Sequence, residues 1–143
     1  MVLELDNFFK PRAVAIVGAS RNPSKIGHVI LKNLIEGGFK GYVFPVNPEA
    51  TEILGYRAYK SVSSINEIVD LVVIAVPAES VLKVIEDCAR KKIKDVMIVT
   101  SGFGEVGNNK LELQLRALLD KNSMHCIGVN CLGVFDAYHK FDT

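Results

Sequence analysis

The sequence predicts an α/β protein: a doubly wound, mostly parallel open sheet forming a single domain over 1–143. Three observations predict it. Continuous apolar runs at 13–19 and 71–76 have the composition of strands buried on both faces, which points to parallel pairing. Stretches of ten or more residues with helical apolar spacing separate the main strands, as βαβ units require. Each strand also runs into a loop rich in glycine, proline, serine or asparagine. Right-handed crossovers between such units leave a Rossmann-like sheet as the leading topology.

The elements follow in order. The first strand, 13–19, ends at Gly18, where the chain turns without a Cβ in the way. A helix over 25–36 places Ile26, Val29, Ile30 and Leu34 on one face, with Ser24 as N-cap and Gly37-Gly38 as the stop. The second strand, 42–46, ends at Asn47-Pro48, because proline donates no N–H and excludes its predecessor from helical geometry. From 49 to 66 the pattern is irregular: Leu54-Gly55-Tyr56 reads as a turn and 61–68 as a short helix. The third strand, 71–76, closes at Pro77, and a helix over 79–91 carries Val81, Val84, Ile85 and Cys88 on one face. The fourth, 95–100, runs into Ser101-Gly102-Phe103-Gly104, and a helix over 108–121 aligns Leu111, Leu115, Leu118 and Leu119. The fifth, 124–128, ends in Val129-Asn130-Cys131-Leu132-Gly133. Cys88, Met97 and Met124 are expected in the core.

Composition removes several function classes. With 143 residues and 49% apolar content, a core can form without disulfides or metal. A net charge of +1 supplies no field for nucleic acid, and the one dense basic cluster, Arg90-Lys91-Lys92 with Lys94, falls where a helix ends and complements its dipole. Three cysteines without C-x-x-C spacing fit a reducing compartment, so the cytoplasm is the expected location. The first ten residues lack a basic stretch ahead of an apolar run, and no run reaches the ~20 residues of a spanning helix, so neither a secretory signal nor a membrane partner is expected. No metal site is expected either.

The loop from Gly18 to Gly27 is expected to cradle phosphate, with unpaired amides of the following helix start pointing at the anion. It lacks the compact G-x-G-x-x-G spacing of a nicotinamide-dinucleotide site. Such sites also place Asp or Glu about 20 residues further on, to accept from the adenosine ribose. Asn47-Pro48 holds that place here. Arg21 and Lys25 supply charge for an additional phosphate, which NAD lacks and both coenzyme A and NADP carry. All five strand-end loops are expected to line one crevice.

Five ordered motifs carry a resemblance that covers nearly the whole chain from Phe8 onward: Gly18-Ala-Ser-Arg-Asn-Pro-Ser-Lys-Ile-Gly27, Phe44-Pro-Val-Asn-Pro48, Ala75-Val-Pro77, Thr100-Ser-Gly-Phe-Gly-Glu105 and Ile127-Gly-Val-Asn-Cys-Leu-Gly133. The chain resembles the N-terminal coenzyme A-binding domain of the NDP-forming acyl-CoA synthetases, most closely the alpha part of ADP-forming acetate–CoA ligases and more distantly the succinyl-CoA ligase alpha subunit. The resemblance implies coenzyme A as ligand, with Gly18, Ala19, Ser20, Arg21, Lys25 and Gly27 around its phosphates. It implies Val46, Asn47 and Pro48 beside the adenine or ribose and Val76 and Pro77 on the adenine side. Thr100, Ser101, Gly102 and Phe103 would approach the pantetheine arm, and Asn130 and Cys131 its reacting end. Two departures stand out: Glu49 where the family commonly has lysine after Asn-Pro, and Val129 where it has proline.

The family forms an acyl-CoA from a carboxylic acid, coenzyme A and ATP through an acyl phosphate and a phosphorylated histidine, or runs in reverse. That histidine belongs to a following domain, and an ATP-grasp module completes the enzyme, so further ligase domains or subunits are implied as partners. His28, His125 and His139 are expected to be structural or solvated, Cys131 lacks a neighbouring base in sequence, and no catalytic residue is assigned within this segment. The segment alone is expected to bind coenzyme A without turnover. Two other classes stay open at this level: a stand-alone regulatory coenzyme A-binding protein, and an NAD(P)-binding oxidoreductase or redox-sensing domain suggested by fold alone.

Overall fold

A computed structural model describes residues 5–143, and the reading of residues 1–4 as part of a signal-free N-terminus lies outside them. Five parallel strands form the sheet: β1 (Ala13–Val17), β2 (Tyr42–Val46), β5 (Leu71–Ile74), β6 (Asp95–Ile98) and β7 (His125–Gly128). Their spatial order is β2-β1-β5-β6-β7. Between β2 and β5 runs a two-stranded hairpin, β3 (Glu52–Ile53) with β4 (Tyr56–Arg57), and then a 3-10 turn, Val62–Ser64. A second hairpin, β8 (Phe135–Asp136) with β9 (Phe141–Asp142), closes the described chain.

Both faces of the sheet are covered, which is why its central strands are apolar at every position. Every residue of β1 and β5 is buried. Alternation along the strands divides the core in two. Val14, Ile16, Leu71, Val73 and Met97 pack under α1 (Asp6–Phe9), α2 (Ile26–Glu36) and Phe141 of β9. Ala15, Val17, Val72, Ile74, Val96 and Ile98 pack under α3 (Ala78–Arg90), α4 (Asn109–Lys121) and the turn residues Val62 and Ile65. Cys88, Met97 and Met124 are core residues as expected. The edge strand β7 is the least covered, and His125 there is exposed.

Local chemistry decides the start of α2 and the extent of the 61–68 segment. Helix α2 starts at Ile26 with Lys25 at its N-cap position, and no side chain caps it. Ser24 instead donates its hydroxyl and its N–H to Asn22 Oδ1, at 2.8 and 2.9 Å, in a local turn that competes with capping. The buried stripe of α2 is Gly27, Ile30, Leu31 and Leu34, while Ile26 and Val29 are exposed. Gly27 sets that rotation, because it sits against the end of β1. The helix expected over 61–68 contracts to the turn Val62–Ser64, whose Ser61 and Ser64 side chains form a capping box. Leu54-Gly55 is the hairpin turn, with both residues at positive φ.

Candidate functional site

Strand order reverses between β1 and β5, so the loops leaving these two strands diverge to opposite faces and open a crevice at their carboxyl ends. Gly18 sits at that point with φ +92°, and a Cβ there would lie 2.2 Å from the Ala75 carbonyl oxygen. A Cβ on Gly27 would lie 2.0 Å from the Gly18 carbonyl oxygen. The first approach sets the end of β1 against the chain leaving β5, and the second sets the start of α2 against the end of β1. His28, nearly buried, donates Nδ1–H to the Ser20 carbonyl at 2.8 Å, and Asn22 N–H bonds Ser20 Oγ at 3.0 Å, so the intervening loop is held from both sides. No acidic side chain occupies the first turn of α2 and none caps it. Its leading N–H groups and positive dipole end therefore face the crevice, a site for an anion. The groove above them, about 260 Å³, is lined by Gly18, Ala19, Ser20, Lys25, Gly27, Asn47, Val76 and Pro77 among others.

Asn47, which the resemblance sets beside the adenine or ribose, lines both grooves and also ties two loops together. Its Nδ2 donates to the Ala19 carbonyl at 2.9 Å, and its Oδ1 accepts from Glu49 and Ala50 N–H at 2.8 and 3.2 Å. The amide is a clasp between the first two loops. Arg21 is exposed, donates Nε–H to the Glu52 carbonyl at 3.0 Å, and lines neither groove described here.

A second groove of about 370 Å³ continues from the first, sharing Gly18, Asn47 and Val76 with it. Its floor includes Val17, Val46, Val62 and Val84, and its walls carry Pro48, Lys60, Ser61, Ser63, Ser80, Lys83, Asp87 and Arg90. Asp87 is largely buried and accepts from Ser63 Oγ, from Ser63 N–H at 3.2 Å and from Arg90 at 3.1 Å. Burial works to raise its pKa, but the bonds from Ser63 and Arg90 outweigh that and hold it below the usual carboxylate value. Apart from Pro48, these wall residues escaped sequence reasoning because the groove forms only where the 61–64 turn packs on the face of α3 that carries Ser80, Lys83 and Asp87. One signal was present: Ser80, Lys83, Val84 and Asp87 recur at helical spacing beside the apolar Val81, Ile85 and Cys88 stripe.

The remaining loops lie further along the row of strand ends. Thr100 reaches the crevice wall by donating Oγ1–H to the Val76 carbonyl at 2.7 Å. Ser101, Gly102, Phe103, Asn130 and Cys131 line neither groove. Strands spaced about 4.8 Å apart put β7 roughly 14 Å from β1, so one crevice serves all five loops only for an elongated ligand. Gly102 and Phe103 N–H groups are held by the Glu105 carboxylate, the latter at 3.1 Å, and Phe103 is fully buried. The bond from Gly102 is the main reason that the Glu105 carboxyl sits below its usual pKa. Asn130 adopts φ +54° and donates N–H to the Thr100 carbonyl at 2.9 Å, while Cys131 Sγ approaches the Ile98 carbonyl at 3.4 Å. Burial pushes the Cys88 and Cys126 thiols up to about 12, so neither is a nucleophile near neutral pH. Each histidine Nδ1 is engaged, His28 with Ser20, His125 with Asp95 and His139 with Asp136. Among the described residues no group of three His, Cys, Asp or Glu side chains could hold a metal ion, and no helix is long and apolar enough to cross a membrane.

A Rossmann-like sheet with an uncapped helix start and a clasped loop pair at its switch point defines a binding domain for a phosphate-bearing nucleotide. The model of the CoA binding domain family matches residues 12–137, and the chain belongs to that family. It is 42% identical over 135 residues to an ADP-forming acetate–CoA ligase of Methanocaldococcus jannaschii, covering 94% of this chain and 19% of that protein. It is 44% identical over 138 residues to the alpha subunit of ADP-forming acetate–CoA ligase I of Pyrococcus furiosus, covering 92% of this chain and 30% of the subunit. Among solved structures, the dinucleotide-forming acetyl-coenzyme A synthetase 1 of Ca. Korarchaeum cryptofilum, in complex with phosphate and ADP, superposes with a TM-score of 0.93 at 44% identity over 96% of this chain and 30% of that one. The chain thus spans about a fifth to a third of the length of these relatives.

Proposed function

We propose that this chain is the coenzyme A-binding part of an ADP-forming acyl-CoA ligase, holding the thiol substrate for acyl transfer completed by further domains or subunits. The observation that carries the reading is the close approach of Gly27 to the Gly18 carbonyl, which sets the uncapped start of α2 beside the crevice. Two phosphoryl groups of the coenzyme lie over those amides with Lys25 beside them, and Ala19 and Ser20 form the turn around them. The adenosine end occupies the larger groove between Pro48 and the α3 face, against Val46 and Val76. Pro77 and Thr100 then direct the pantetheine arm past the 101–103 loop toward Asn130 and Cys131, along the row of strand ends. In the reaction, the coenzyme's sulfur attacks the acyl carbon of an acyl phosphate, the bond from that carbon to the phosphate oxygen breaks, and the thiol proton leaves to solvent or phosphate. This segment supplies binding and orientation. The phosphohistidine and the ATP-grasp chemistry are assigned to the partner domains.

Calorimetry with coenzyme A, NAD and NADP tests the reading. Coenzyme A binds in the micromolar range, about −8 kcal/mol, and NAD binds at least tenfold more weakly. Preference for either nicotinamide nucleotide overturns it. Incubating the segment with ATP, acetate and coenzyme A yields no acyl-CoA; turnover by the segment alone would place the catalytic histidine within it.

A further inference from the structure

The larger groove carries a charge surplus that the reading above leaves unassigned. Lys60 and Lys83 both line it, and neither is paired with a carboxylate among the described residues. The one carboxylate in its walls, Asp87, is already engaged by Arg90 and Ser63. Resting on the coenzyme A reading, we propose that Lys60 and Lys83 recognise the 3′-phosphate of the coenzyme's ribose and so set its preference for the phosphorylated nucleotide. The sequence assigned that role to Arg21 and Lys25, but Arg21 is turned to the β3–β4 hairpin and Lys25 lines the groove over the diphosphate cradle.

The walls that carry these lysines are fixed before ligand arrives. Tyr59 N–H bonds the Pro45 carbonyl at 2.9 Å and Asn47 N–H bonds the Tyr59 carbonyl at 2.8 Å, which lays residue 59 against the end of β2 and delivers Lys60 to the rim. The next turn buries Val62 and Ile65 in the core and is tied to α3 twice, by Ser63 to Asp87 and by Lys91 Nζ to the Ile65 carbonyl at 2.6 Å. Lys83 projects from α3 one turn before Asp87. Ser80 offers a hydroxyl in the same wall, a donor for a phosphomonoester's oxygens.

Calorimetry of coenzyme A against dephospho-coenzyme A, on the wild type and on Lys60→Met/Lys83→Met, decides the matter. Methionine keeps the apolar stem, and both positions are exposed, so the variant folds; circular dichroism and a melt verify it. Exposed cations contribute modestly, so the wild type should prefer coenzyme A by roughly five- to thirtyfold, and the preference should fall toward one in the double variant. The salt dependence of coenzyme A binding should flatten with it. A wild type that binds both forms equally overturns the proposal and leaves the coenzyme A reading standing, as does a double variant that keeps the preference while Arg21→Ala loses it. A wild type that binds neither form overturns the reading beneath it.

Discussion

Adding one carbon at Gly27 tests the geometry of the cradle. In Gly27→Ala the new Cβ would sit 2.0 Å from the Gly18 carbonyl oxygen, and contacts of this kind do not fall below 3.0 Å. The obstacle is backbone, so no rotamer relieves it, and the start of α2 must part from the end of β1 by about 1 Å. Overpacking of this kind costs about 1–3 kcal/mol, offset by about 0.5–1 kcal/mol because alanine is the better helix residue. The melt should drop by up to roughly 10 °C, at about 2–4 °C per kcal/mol for a chain of this size. Binding should suffer more. A shift of about 1 Å takes amides from roughly 2.9 Å to beyond hydrogen-bond range, and each bond to a charged oxygen contributes about 1.5–3 kcal/mol. One lost bond raises the coenzyme A Kd roughly 10- to 150-fold, read by calorimetry. Gly55→Ala, at positive φ but with no atom within 4 Å of the new carbon, is the comparison: it costs about 1–2 kcal/mol of strain in the hairpin and leaves affinity unchanged. A Gly27→Ala protein with wild-type affinity would refute the reasoning.

Other outcomes follow from the same chemistry. Asp87→Ala strands Ser63 and Arg90 beside the groove and should cost about 1–3 kcal/mol in a denaturant titration; an unchanged midpoint would contradict the pinning of the turn to α3. Because the Asp87 pKa is depressed in the folded protein, its contribution is present above the unfolded carboxylate value near 3.8 and is lost as pH falls through the folded value, so the Asp87→Asn deficit should shrink toward zero in strong acid. Cys88 and Cys126, with thiols held near 12, should react slowly with a thiol reagent at neutral pH and about tenfold faster per pH unit up to that range; fast labelling of either at pH 7 would contradict their burial. Glu105→Ala should speed hydrogen exchange at the Gly102 and Phe103 amides, and unchanged protection there would remove Glu105 as their partner.

Strand positions were legible because burial on both faces demands unbroken apolar runs, and Leu71–Ile74 has no other good explanation. The turn after β1 was legible too, since the φ of +92° at position 18 favours glycine. What escaped were features decided by side-chain geometry across the fold. Nothing in the order of residues says that the Asn47 amide spends its bonds on Ala19, Glu49 and Ala50, or that Arg21 turns to Glu52. The Ser61–Ser64 capping box ended its turn after a single round, which a propensity reading extended to residue 68. Lys60 and Lys83 lie far apart in sequence and meet in one groove only through the packing of that turn on α3.

The most direct test of the central claim is a crystal structure of the protein soaked with coenzyme A. Diphosphate density should lie over the amides that open α2, between Gly18 and Gly27, with the adenosine toward Pro48 and the thiol arm running past Thr100. Diphosphate density at any other place on the molecule would contradict the account.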